Sequence, residues 1–399
     1  MVKKKPKSGK KVTKAKKVSK VKKKIVKKPV KTTKKNVVKK KTTKPKISKK
    51  KPVKKVAKPT KKKVVKKPIK ETKKKLTKTS KPKKSKLTPK VDDSIKNSIH
   101  LIELALKEDL GKDFEDITSN AIIKNKKIKA QIRVKEHCVL CGIDLGQQVI
   151  EVYEKLAKIK SKDKVKFNIL MRDGAFLNKN EVIATIEGPA TTILTCERTI
   201  LNFIARLSGI STATNKFVSK LIMHGVQLLD TRKTLAGYRE LEKYAVRVGG
   251  GTNHRTGLHD MFLIKDNHIQ IAGSIKKAMD AALKAKKTAK KSLLKNADIE
   301  LEVESLKQVD ELLRLKKLPD IVMLDNLSYE EMEIAVDRIR KKSKLAKKEM
   351  KIEASGGIRL ENITEVAKCG IDMISVGGAL TLGAKPIDFT VDVIDWVEF

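Results

Sequence analysis

Six short apolar runs constrain the fold of this chain more than any other feature of its sequence. They are Val226–Leu229, Met261–Ile264, Ile299–Val303, Ile321–Leu324, Lys351–Ala354 and Met373–Val376. We interpret each run as apolar on both faces, which is typical of strands in a parallel sheet covered by helices. Helical patterns separate several runs, at Leu306–Leu315, Tyr329–Arg340 and Asn362–Cys369. Six such units within about 150 residues favour an α/β barrel over an open sheet, and no GxGxxG motif follows the first run.

Polar or glycine-rich residues follow every one of these runs. They are Asp230-Thr-Arg-Lys233, Lys265-Asp-Asn267, Glu304, Asp325-Asn326, Ser355-Gly356-Gly357 and Gly377-Gly378. In a parallel barrel all of these positions lie at the carboxyl-terminal rim, where barrel enzymes carry out their chemistry. One acid at a strand end is often only a helix cap, but capping does not account for six polar endings. The sequence therefore predicts a functional site at this rim.

Four cations are expected to meet at that rim. They are Arg232, Lys233, Arg255 and Lys265. Four positive charges in one mouth repel one another unless an anion is bound, so the ligand should carry several carboxylates or phosphates. His254, beside Arg255, is a candidate ligand contact, whereas His259 and His268 are equally well explained as packing or orienting groups.

The acids and glycines of the rim suggest roles that the four cations do not cover. Glu304 and Asp325 could bind sugar hydroxyls, hold Mg²⁺ or stabilise developing positive charge, and the alternative is a structural network of ion pairs. The two glycine-rich endings, 355–357 and 377–378, predict a phosphate cradle built from backbone N–H groups.

The first 90 residues differ from the rest of the chain. They hold 44 lysines, one acid (Glu71), eight of the 11 prolines, and neither arginine nor aromatic residues, in a protein of formal net charge +50. Such a segment cannot bury enough apolar surface to fold, so residues 1–91 are predicted to be disordered. Lysine without aromatic residues indicates non-specific attraction to nucleic acid or another polyanion. A solubilising or targeting extension without a defined partner is an equally good interpretation.

Residues 92–205 predict a separate domain. The expected elements are a helix at Ile95–Leu110, strands at Ile128–Val134, Val165–Met171 and Val182–Ile186, and a long helix at Ala190–Met223 that is broken or bent at Ser208-Gly209. The pair Cys138 and Cys141 has metal or redox spacing but no second pair, which favours a structural role.

The chain lacks both a run of 18 apolar residues and a secretory signal, so no membrane association is expected and the location is predicted to be cytoplasmic. Nucleoid or nuclear association through the lysine-rich tail is a further option.

Several motifs in this order resemble the quinolinate phosphoribosyltransferase family, the carboxylating nicotinate-nucleotide pyrophosphorylases of NAD synthesis. The barrel motifs are DTRKT, GGGTNHRTGL, LIKDNH, VMLDN and EASGGI, and the upstream motifs are KEDLGKDFEDITS, RDGAF and ERTILNFIARLSGISTAT. The resemblance covers roughly Ile95 to Phe399 and leaves the lysine-rich tail outside. It implies an α/β fold, in which an N-terminal α/β sandwich domain (92–205, completed by about 382–399) joins an incomplete, TIM-like α/β barrel (206–381). It also implies a homodimer or higher homo-oligomer.

The resemblance further implies a reaction and a set of site residues. Quinolinate and phosphoribosyl pyrophosphate would give nicotinate mononucleotide, pyrophosphate and CO₂, with Mg²⁺ as cofactor. Lys233, Lys265, Glu304 and Asp325 would be catalytic, with Mg²⁺ near the two acids, and Arg198 would reach the neighbouring subunit's site. The substrate-binding set would be Arg198, Thr231, Arg232, Lys233, His254, Arg255, Lys265, Glu304, Asp325, Ser355, Gly356, Gly357, Gly377 and Gly378.

The sequence departs from the family pattern at two places. The family usually has Pro-Gly after DTRKT, where this chain has Leu235-Ala236-Gly237. The segment after Ser375 reads VGGALTLGA, with an extra glycine and no His-Ser pair after the threonine, which leaves the 5′-phosphate contacts open. Two alternatives remain: a related enzyme that acts on another anionic substrate, and a polyanion-binding protein in which the barrel is secondary.

Overall fold

The computed structural model describes residues 92–123, 125–290 and 292–398. The lysine-rich segment 1–91, with the disorder predicted for it, lies outside the described residues. The described residues belong to one unit, which contains two sheets of different character joined by a long helix.

The amino-terminal half of the described part contains five α-helices and five strands. In chain order they are α1 (Asp93–Lys96), α2 (Ile99–Leu110), α3 (Ile117–Ile122), β1 (Lys126–Val134), β2 (Cys138–Val139), α4 (Ile143–Leu156), β3 (Lys166–Ile169), β4 (Phe176–Leu177), β5 (Val182–Pro189) and α5 (Ala190–Leu221). Strands β1, β3 and β5 pair antiparallel in the order β1-β5-β3, and α4 and α5 pack together. The alternating burial of β1 matches a strand with one face toward the core.

The helix predicted over Ile95–Leu110 is two helices. The Asp92 carboxylate caps α1 by accepting from the Ser94 backbone N–H at 2.8 Å. The Ser98 hydroxyl then donates to the Ser94 carbonyl at 2.6 Å, and Ser98 becomes the N-terminal cap position of α2. Serine competes with the helix for backbone hydrogen bonds in this way, so the chain turns although its apolar spacing continues.

The break predicted in the long helix at Ser208-Gly209 is wrong, because α5 runs through both residues. Gly209 serves tertiary packing: a Cβ there would lie 2.2 Å from the carbonyl oxygen of Lys385. The Ser208 hydroxyl hydrogen-bonds the backbone of Cys141, accepting from its N–H at 3.0 Å and donating to its carbonyl at 3.2 Å. These contacts explain two residues that lower the intrinsic helix propensity at that point.

The second half alternates strands and helices. In chain order it contains β6 (Gln227–Leu229), α6 (Arg239–Val248), β7 (Phe262–Ile264), α7 (Asp266–Ala272), α8 (Ile275–Thr288), α9 (Ser292–Asn296), β8 (Ile299–Val303), α10 (Leu306–Leu313), β9 (Ile321–Asp325), α11 (Tyr329–Ala346), β10 (Lys351–Ser355), α12 (Ile363–Lys368) and β11 (Met373–Ser375). All neighbours in the sheet are parallel, in the order β6-β11-β10-β9-β8-β7. Within the described residues β6 and β7 do not pair with each other, so the predicted incomplete α/β barrel is confirmed.

The last strand returns to the amino-terminal sheet. Strand β12 (Phe389–Glu398) pairs antiparallel with β1 and extends that sheet to the order β12-β1-β5-β3. Two core clusters result, one between this sheet and its helices and one around the barrel strands. The amino-terminal domain therefore contains residues from both ends of the described chain.

The interior of the barrel is more polar than the sequence interpretation allowed. Strand β8 was expected to be apolar on both faces, and this is wrong: its two glutamates, Glu300 and Glu302, are buried. Glu353 of β10 is also fully buried. Buried carboxylates require charged or hydrogen-bonding partners, and those partners define the site.

Candidate active site

A cavity of about 350 Å³ opens at the carboxyl-terminal ends of the barrel strands. Its lining contains cations, acids and two serines but only two apolar side chains. The lining residues are Thr231, Arg232, Lys233, His254, Arg255, Leu263, Lys265, Glu302, Met323, Asp325, Glu353, Ser355 and Ser375. The sequence predicted a polar site at this rim, and these strand ends supply it.

The structure brings the four predicted cations together in this cavity. Arg232 and Lys233 follow β6, Arg255 lies in the loop before β7, and Lys265 follows β7. Burial, followed by the positive charge of Arg232, lowers the pKa of Arg255. The Nε atom of Arg232 is buried and has no hydrogen-bond partner among the described residues. A buried, unpaired guanidinium donor and mutual repulsion both favour an anionic ligand.

Lys265 is held by an acid on the neighbouring strand. Its Nζ atom lies 2.7 Å from Oε2 of Glu302. Burial raises the pKa of Glu302, although the hydrogen bond and charge of Lys265 oppose that shift. The Lys265 backbone N–H donates to Nδ1 of His268 at 3.0 Å, which gives His268 the orienting role that the sequence had left open. The ammonium group is therefore fixed at the mouth.

A cluster of acids lies at the same rim as the cations. Carboxylate oxygens of Glu302, Glu304 and Asp325 all lie within 4.8 Å of one another. Of these, Glu302 and Asp325 line the cavity, whereas Glu304 is exposed beside it. The helices that follow are capped by Ser305 and Ser328, so neither Glu304 nor Asp325 is a capping residue. Glutamates alternating along β8 could have indicated Glu302, but the sequence interpretation took only the acid after the strand.

His254 reaches from the rim into the barrel interior. Its Nε2 atom lies 3.0 Å from Oε2 of Glu300 and 3.4 Å from Oε2 of Glu353. Burial lowers the pKa of His254, but contacts with Glu300 and then Glu353 outweigh it and raise the pKa to about 10. Burial also raises the pKa of Glu300, and the nearby Glu353 adds to this. At neutral pH the imidazole is protonated and shares a buried site with two carboxyl groups.

Asp230 fixes the loop that carries His254. Its fully buried carboxylate accepts from Lys243 Nζ at 2.5 Å, Asn253 Nδ2 at 2.7 Å and the His254 backbone N–H at 2.8 Å. Burial raises the pKa of Asp230, against the charge and hydrogen bond of Lys243. Asp230 was taken only as the start of a rim segment, so its positioning role was missed. The aspartate of the DTRKT motif therefore holds the site without lining the cavity, whereas the threonine beside it, Thr231, lines it.

The glycines before this loop serve packing. A Cβ on Gly249 would lie 2.5 Å from the Ser211 carbonyl oxygen of α5, and one on Gly251 would lie 2.8 Å from a Val246 methyl group. The triple glycine therefore lets the end of α6 approach α5 closely. This approach sets where the loop of His254 and Arg255 begins.

The predicted phosphate loops lie at the rim, but only part of them lines the cavity. Ser355 lines it, whereas Gly356, Gly357, Gly377 and Gly378 do not. A Cβ on Gly356 would lie 2.1 Å from Oδ1 of Asn326, and one on Gly377 would lie 2.7 Å from Oγ1 of Thr231. Gly357 and Gly378 face open space. The first glycine of each pair thus permits contact between rim loops, and the second leaves room beside them.

Two further residues, Arg198 and Ser375, differ in where they lie relative to the cavity. Arg198 is exposed on α5 and does not line the cavity of its own chain. Ser375, which the sequence analysis did not select, lines the cavity with a buried hydroxyl that lacks a hydrogen-bond partner among the described residues. A hydroxyl left unpaired in a polar cavity favours a bound hydrogen-bonding ligand.

The cysteines are buried and unpaired. Burial, followed by the charge of Glu136, raises the pKa of Cys138 to about 12, so its thiol is protonated at neutral pH. Such a thiol is neither a nucleophile nor a ready metal ligand.

The described helices include none that is long and apolar enough to cross a membrane.

Comparison with known proteins identifies the architecture. The model of the quinolinate phosphoribosyl transferase N-terminal domain matches residues 116–208, and that of the C-terminal domain matches residues 210–392. A probable nicotinate-nucleotide pyrophosphorylase (carboxylating) of Methanocaldococcus jannaschii is 39% identical over 300 residues, which cover 74% of this chain and 97% of the relative. The corresponding Bacillus subtilis protein is 37% identical, with 72% of this chain and 90% of the relative covered.

A solved structure supports the same relationship. The nicotinate-nucleotide pyrophosphorylase of Francisella tularensis aligns with a TM-score of 0.65 and 39% identity, covering 76% of this chain and 98% of that chain. The matched part is the folded part described above, and the lysine-rich tail falls outside the matched domain models. The chain belongs to the quinolinate phosphoribosyltransferase family.

Proposed function

We propose that this protein transfers a phosphoribosyl group from phosphoribosyl pyrophosphate to quinolinate, with loss of CO₂, to give nicotinate mononucleotide and pyrophosphate for NAD synthesis. One observation carries the proposal: four cations and a protonated histidine meet in one cavity, beside buried acids. Quinolinate is a dianion, and phosphoribosyl pyrophosphate adds several phosphate charges. Both ligands satisfy a cavity whose cations otherwise repel one another.

Positioning and electrostatics account for the transfer step. The pyridine nitrogen of quinolinate attacks the anomeric carbon of the ribose as the bond from that carbon to pyrophosphate breaks. Substrate provides the nucleophile, which agrees with the protonated state of Cys138. We assign Arg232, Arg255 and Lys265 to the carboxylates and phosphates. Bound anions near fixed cations, with the reacting atoms aligned, can lower the barrier without a covalent enzyme intermediate.

The acids act on the other side of the reacting carbon. Positive charge develops on the ribose carbon as pyrophosphate leaves, and the carboxylates of Glu302 and Asp325 face this region from the cavity wall. They also offer acceptors for the ribose hydroxyls. We keep Glu304 in the same set because its carboxylate lies beside theirs, although it is exposed.

Decarboxylation follows the transfer. Once the ring nitrogen carries the ribose it is cationic, so it stabilises the electron pair that stays on the adjacent ring carbon when the bond from that carbon to the carboxylate breaks. CO₂ leaves and a proton takes its place on the ring carbon. Fixed cations around the substrate, with Lys233 and Lys265 as the assigned catalytic pair, keep the departing carboxylate aligned.

The acidic cluster fits Mg²⁺. The oxygens of Glu302, Glu304 and Asp325 form a hard donor set of the kind that magnesium binds, usually with water and substrate phosphate completing the shell. We propose that these residues hold the ion. When bound, Mg²⁺ would neutralise charge on the pyrophosphate. The ion pair with Lys265 opposes the rise that burial causes in the pKa of Glu302 and fixes the position of its carboxylate.

We propose that the active unit is a homodimer in which Arg198 completes the neighbouring site. Support comes from its exposure on α5 and from its absence from the lining of its own cavity. We also propose that the reaction takes place in the cytoplasm, and that residues 1–90 attract nucleic acid or another polyanion through their lysines.

Substrate exchange tests the assigned reaction. Purified protein is incubated with phosphoribosyl pyrophosphate, Mg²⁺ and either quinolinate or nicotinate, and nicotinate mononucleotide is quantified. We expect product from quinolinate, because a dianion engages more of the cation cluster than a monoanion does. Product from nicotinate alone would reject the assigned substrate, and a protein inactive with both would reject the assigned reaction.

A further inference from the structure

A second cationic surface lies at the opposite end of the barrel from the active site. Three segments, 284–298, 314–320 and 341–351, contain 15 lysines and arginines against three acids. Each segment lies near the end of a helix, just before strands β8, β9 and β10 begin. Because the strands are parallel and about five residues long, this end lies roughly 16 Å from the catalytic rim. The charge therefore cannot serve the catalytic cavity.

Specific contacts bring the three segments together around Asp320. Its carboxylate lies 3.8 Å from Nζ of Lys286 and 3.1 Å from Nζ of Lys348, and it accepts from the Ile299 backbone N–H at 2.9 Å. Lys348 also donates to the Leu318 carbonyl at 2.6 Å. One acid thus joins residues of three segments that are distant in sequence.

The surface contains a groove between α8 and α10. Its volume is about 680 Å³, and its floor is formed by apolar side chains of Met279, Leu283 and Leu315. Six cations and two acids line its rims: the cations are Lys276, Lys284, Lys287, Arg314, Lys316 and Lys317, and the acids are Asp280 and Glu311. The groove is therefore shaped by the fold, with a positive wall on each side.

Most of this charge is not neutralised locally. Lys276 pairs with Asp280 at 2.6 Å, but the other five cations form no ion pair with the described residues. A cation in the last turn of a helix is stabilised by the helix dipole, which accounts for one or two per helix. It does not account for Lys316 and Lys317, which lie beyond the end of α10. Five unpaired cations on facing walls repel one another until an anion lies between them.

We propose that this basal groove binds the phosphate backbone of a nucleic acid. Charge complementarity selects a polyanion, and the length of the cationic surface exceeds what a single phosphate ester needs. The rims contain no aromatic side chain and one arginine, so they offer neither base stacking nor bidentate reading of base edges. Binding is therefore independent of base sequence and strongly dependent on salt. It leaves the catalytic mouth open.

Binding is measured with a chain of residues 84–399, which removes most of the lysine-rich tail. The solved Francisella relative corresponds almost wholly to this part, so the fold does not depend on the tail. The probes are two DNA duplexes of about 20 base pairs with unrelated sequences, titrated over a series of salt concentrations. We expect equal affinities for the two duplexes and a linear fall of log K with log salt concentration.

Charge-removing substitutions locate the site. The variant Lys284→Gln, Lys287→Gln, Lys316→Gln and Lys317→Gln should lower affinity by at least about tenfold at low salt and reduce the salt slope by about 3 to 4. The matched control changes four exposed lysines of the amino-terminal domain, namely Lys107→Gln, Lys112→Gln, Lys155→Gln and Lys179→Gln, and should bind almost as the parent does. Nicotinate mononucleotide formation should be unchanged in both variants and in the presence of DNA.

Three results would overturn the proposal. The first is no DNA binding by residues 84–399 at low salt, which would leave any binding to the tail. The second is a control that loses as much affinity as the groove variant, which would indicate only a general charge effect. The third is competition between DNA and phosphoribosyl pyrophosphate, which would place DNA in the catalytic mouth. Because catalysis is measured separately, failure of this proposal and failure of the assigned reaction are distinguishable.

Discussion

The Nε2 atom of His254 lies 3.0 Å from a carboxylate oxygen of Glu300, and both side chains are buried inside the barrel. This contact makes the imidazole a fixed cation at neutral pH, because its pKa is raised to about 10 despite burial. The buried pair therefore holds a positive charge in the barrel interior, next to the cations of the rim. We therefore expect both stability and catalysis to depend on this pair.

The first prediction concerns stability at alkaline pH. The folded pKa of His254 lies above its ordinary value of 6.5, so its contribution is complete below about pH 6.5 and is lost as pH rises toward 10. In that window one bound proton changes the unfolding free energy by about 1.4 kcal/mol per pH unit. Denaturant unfolding from pH 6 to 10 measures this slope. In His254→Gln the slope should be smaller by about that amount, and an unchanged slope would contradict the ion pair.

The acids beneath His254 give a second prediction. Removing one carboxylate, as in Glu353→Gln, leaves burial and one acid, so the pKa of His254 should fall from about 10 toward its ordinary value. The imidazole proton resonances, followed by NMR against pH, report this shift. Glu311→Gln, a glutamate remote from the imidazole, serves as the control. A His254 titration that is identical in both variants would show that Glu353 does not hold the proton.

The barrel architecture was readable from the sequence, because short apolar runs followed by polar endings leave few alternatives. The rim cations were readable for the same reason, since Arg232 and Lys265 stand immediately after strands. The buried polar residues of the barrel interior could not be predicted from the sequence. Glu300 occupies a position that the pattern assigned to an apolar strand, and only the contact with His254, 46 positions away, explains it. Long-range packing likewise decided Gly209, which local propensity marks as a helix break.

Packing at Gly209 gives a third prediction. A methyl group there would lie 2.2 Å from the Lys385 carbonyl, so Gly209→Ala should destabilise the protein by about 2 to 4 kcal/mol, although alanine favours a helix. Gly378→Ala is the matched control, because a Cβ there has no neighbour within 4 Å. Thermal or denaturant unfolding compares the two. Equal stabilities would mean that the 385 segment can move away at little cost.

The ion pair at the mouth gives a fourth prediction. Lys265→Met removes a fixed cation and leaves Glu302 without its partner, so kcat/KM should fall by about 10² to 10³. Lys276→Met, at a surface lysine that pairs with Asp280, should retain activity close to that of the parent. Initial rates at several substrate concentrations, with circular dichroism to verify folding, make the comparison. A Lys265→Met enzyme of near-parental activity would remove Lys265 from the site.

Mixing two impaired variants tests the shared site. Arg198→Ala and Lys265→Met should each have strongly reduced activity alone, since each removes a cation from every site. A mixed dimer contains one site that has both native residues, so activity should return when the two proteins are unfolded together and refolded. Activity that does not return in dimers shown to be mixed would confine Arg198 to its own chain.

The most direct test of the assigned reaction is the product balance with quinolinate carrying ¹⁴C in its 2-carboxylate. Released ¹⁴CO₂ and pyrophosphate are quantified together, with each substrate omitted in turn. The assigned reaction predicts equal amounts of both products, formed only when quinolinate and phosphoribosyl pyrophosphate are both present. Pyrophosphate without labelled CO₂, or neither product from folded protein, would contradict it.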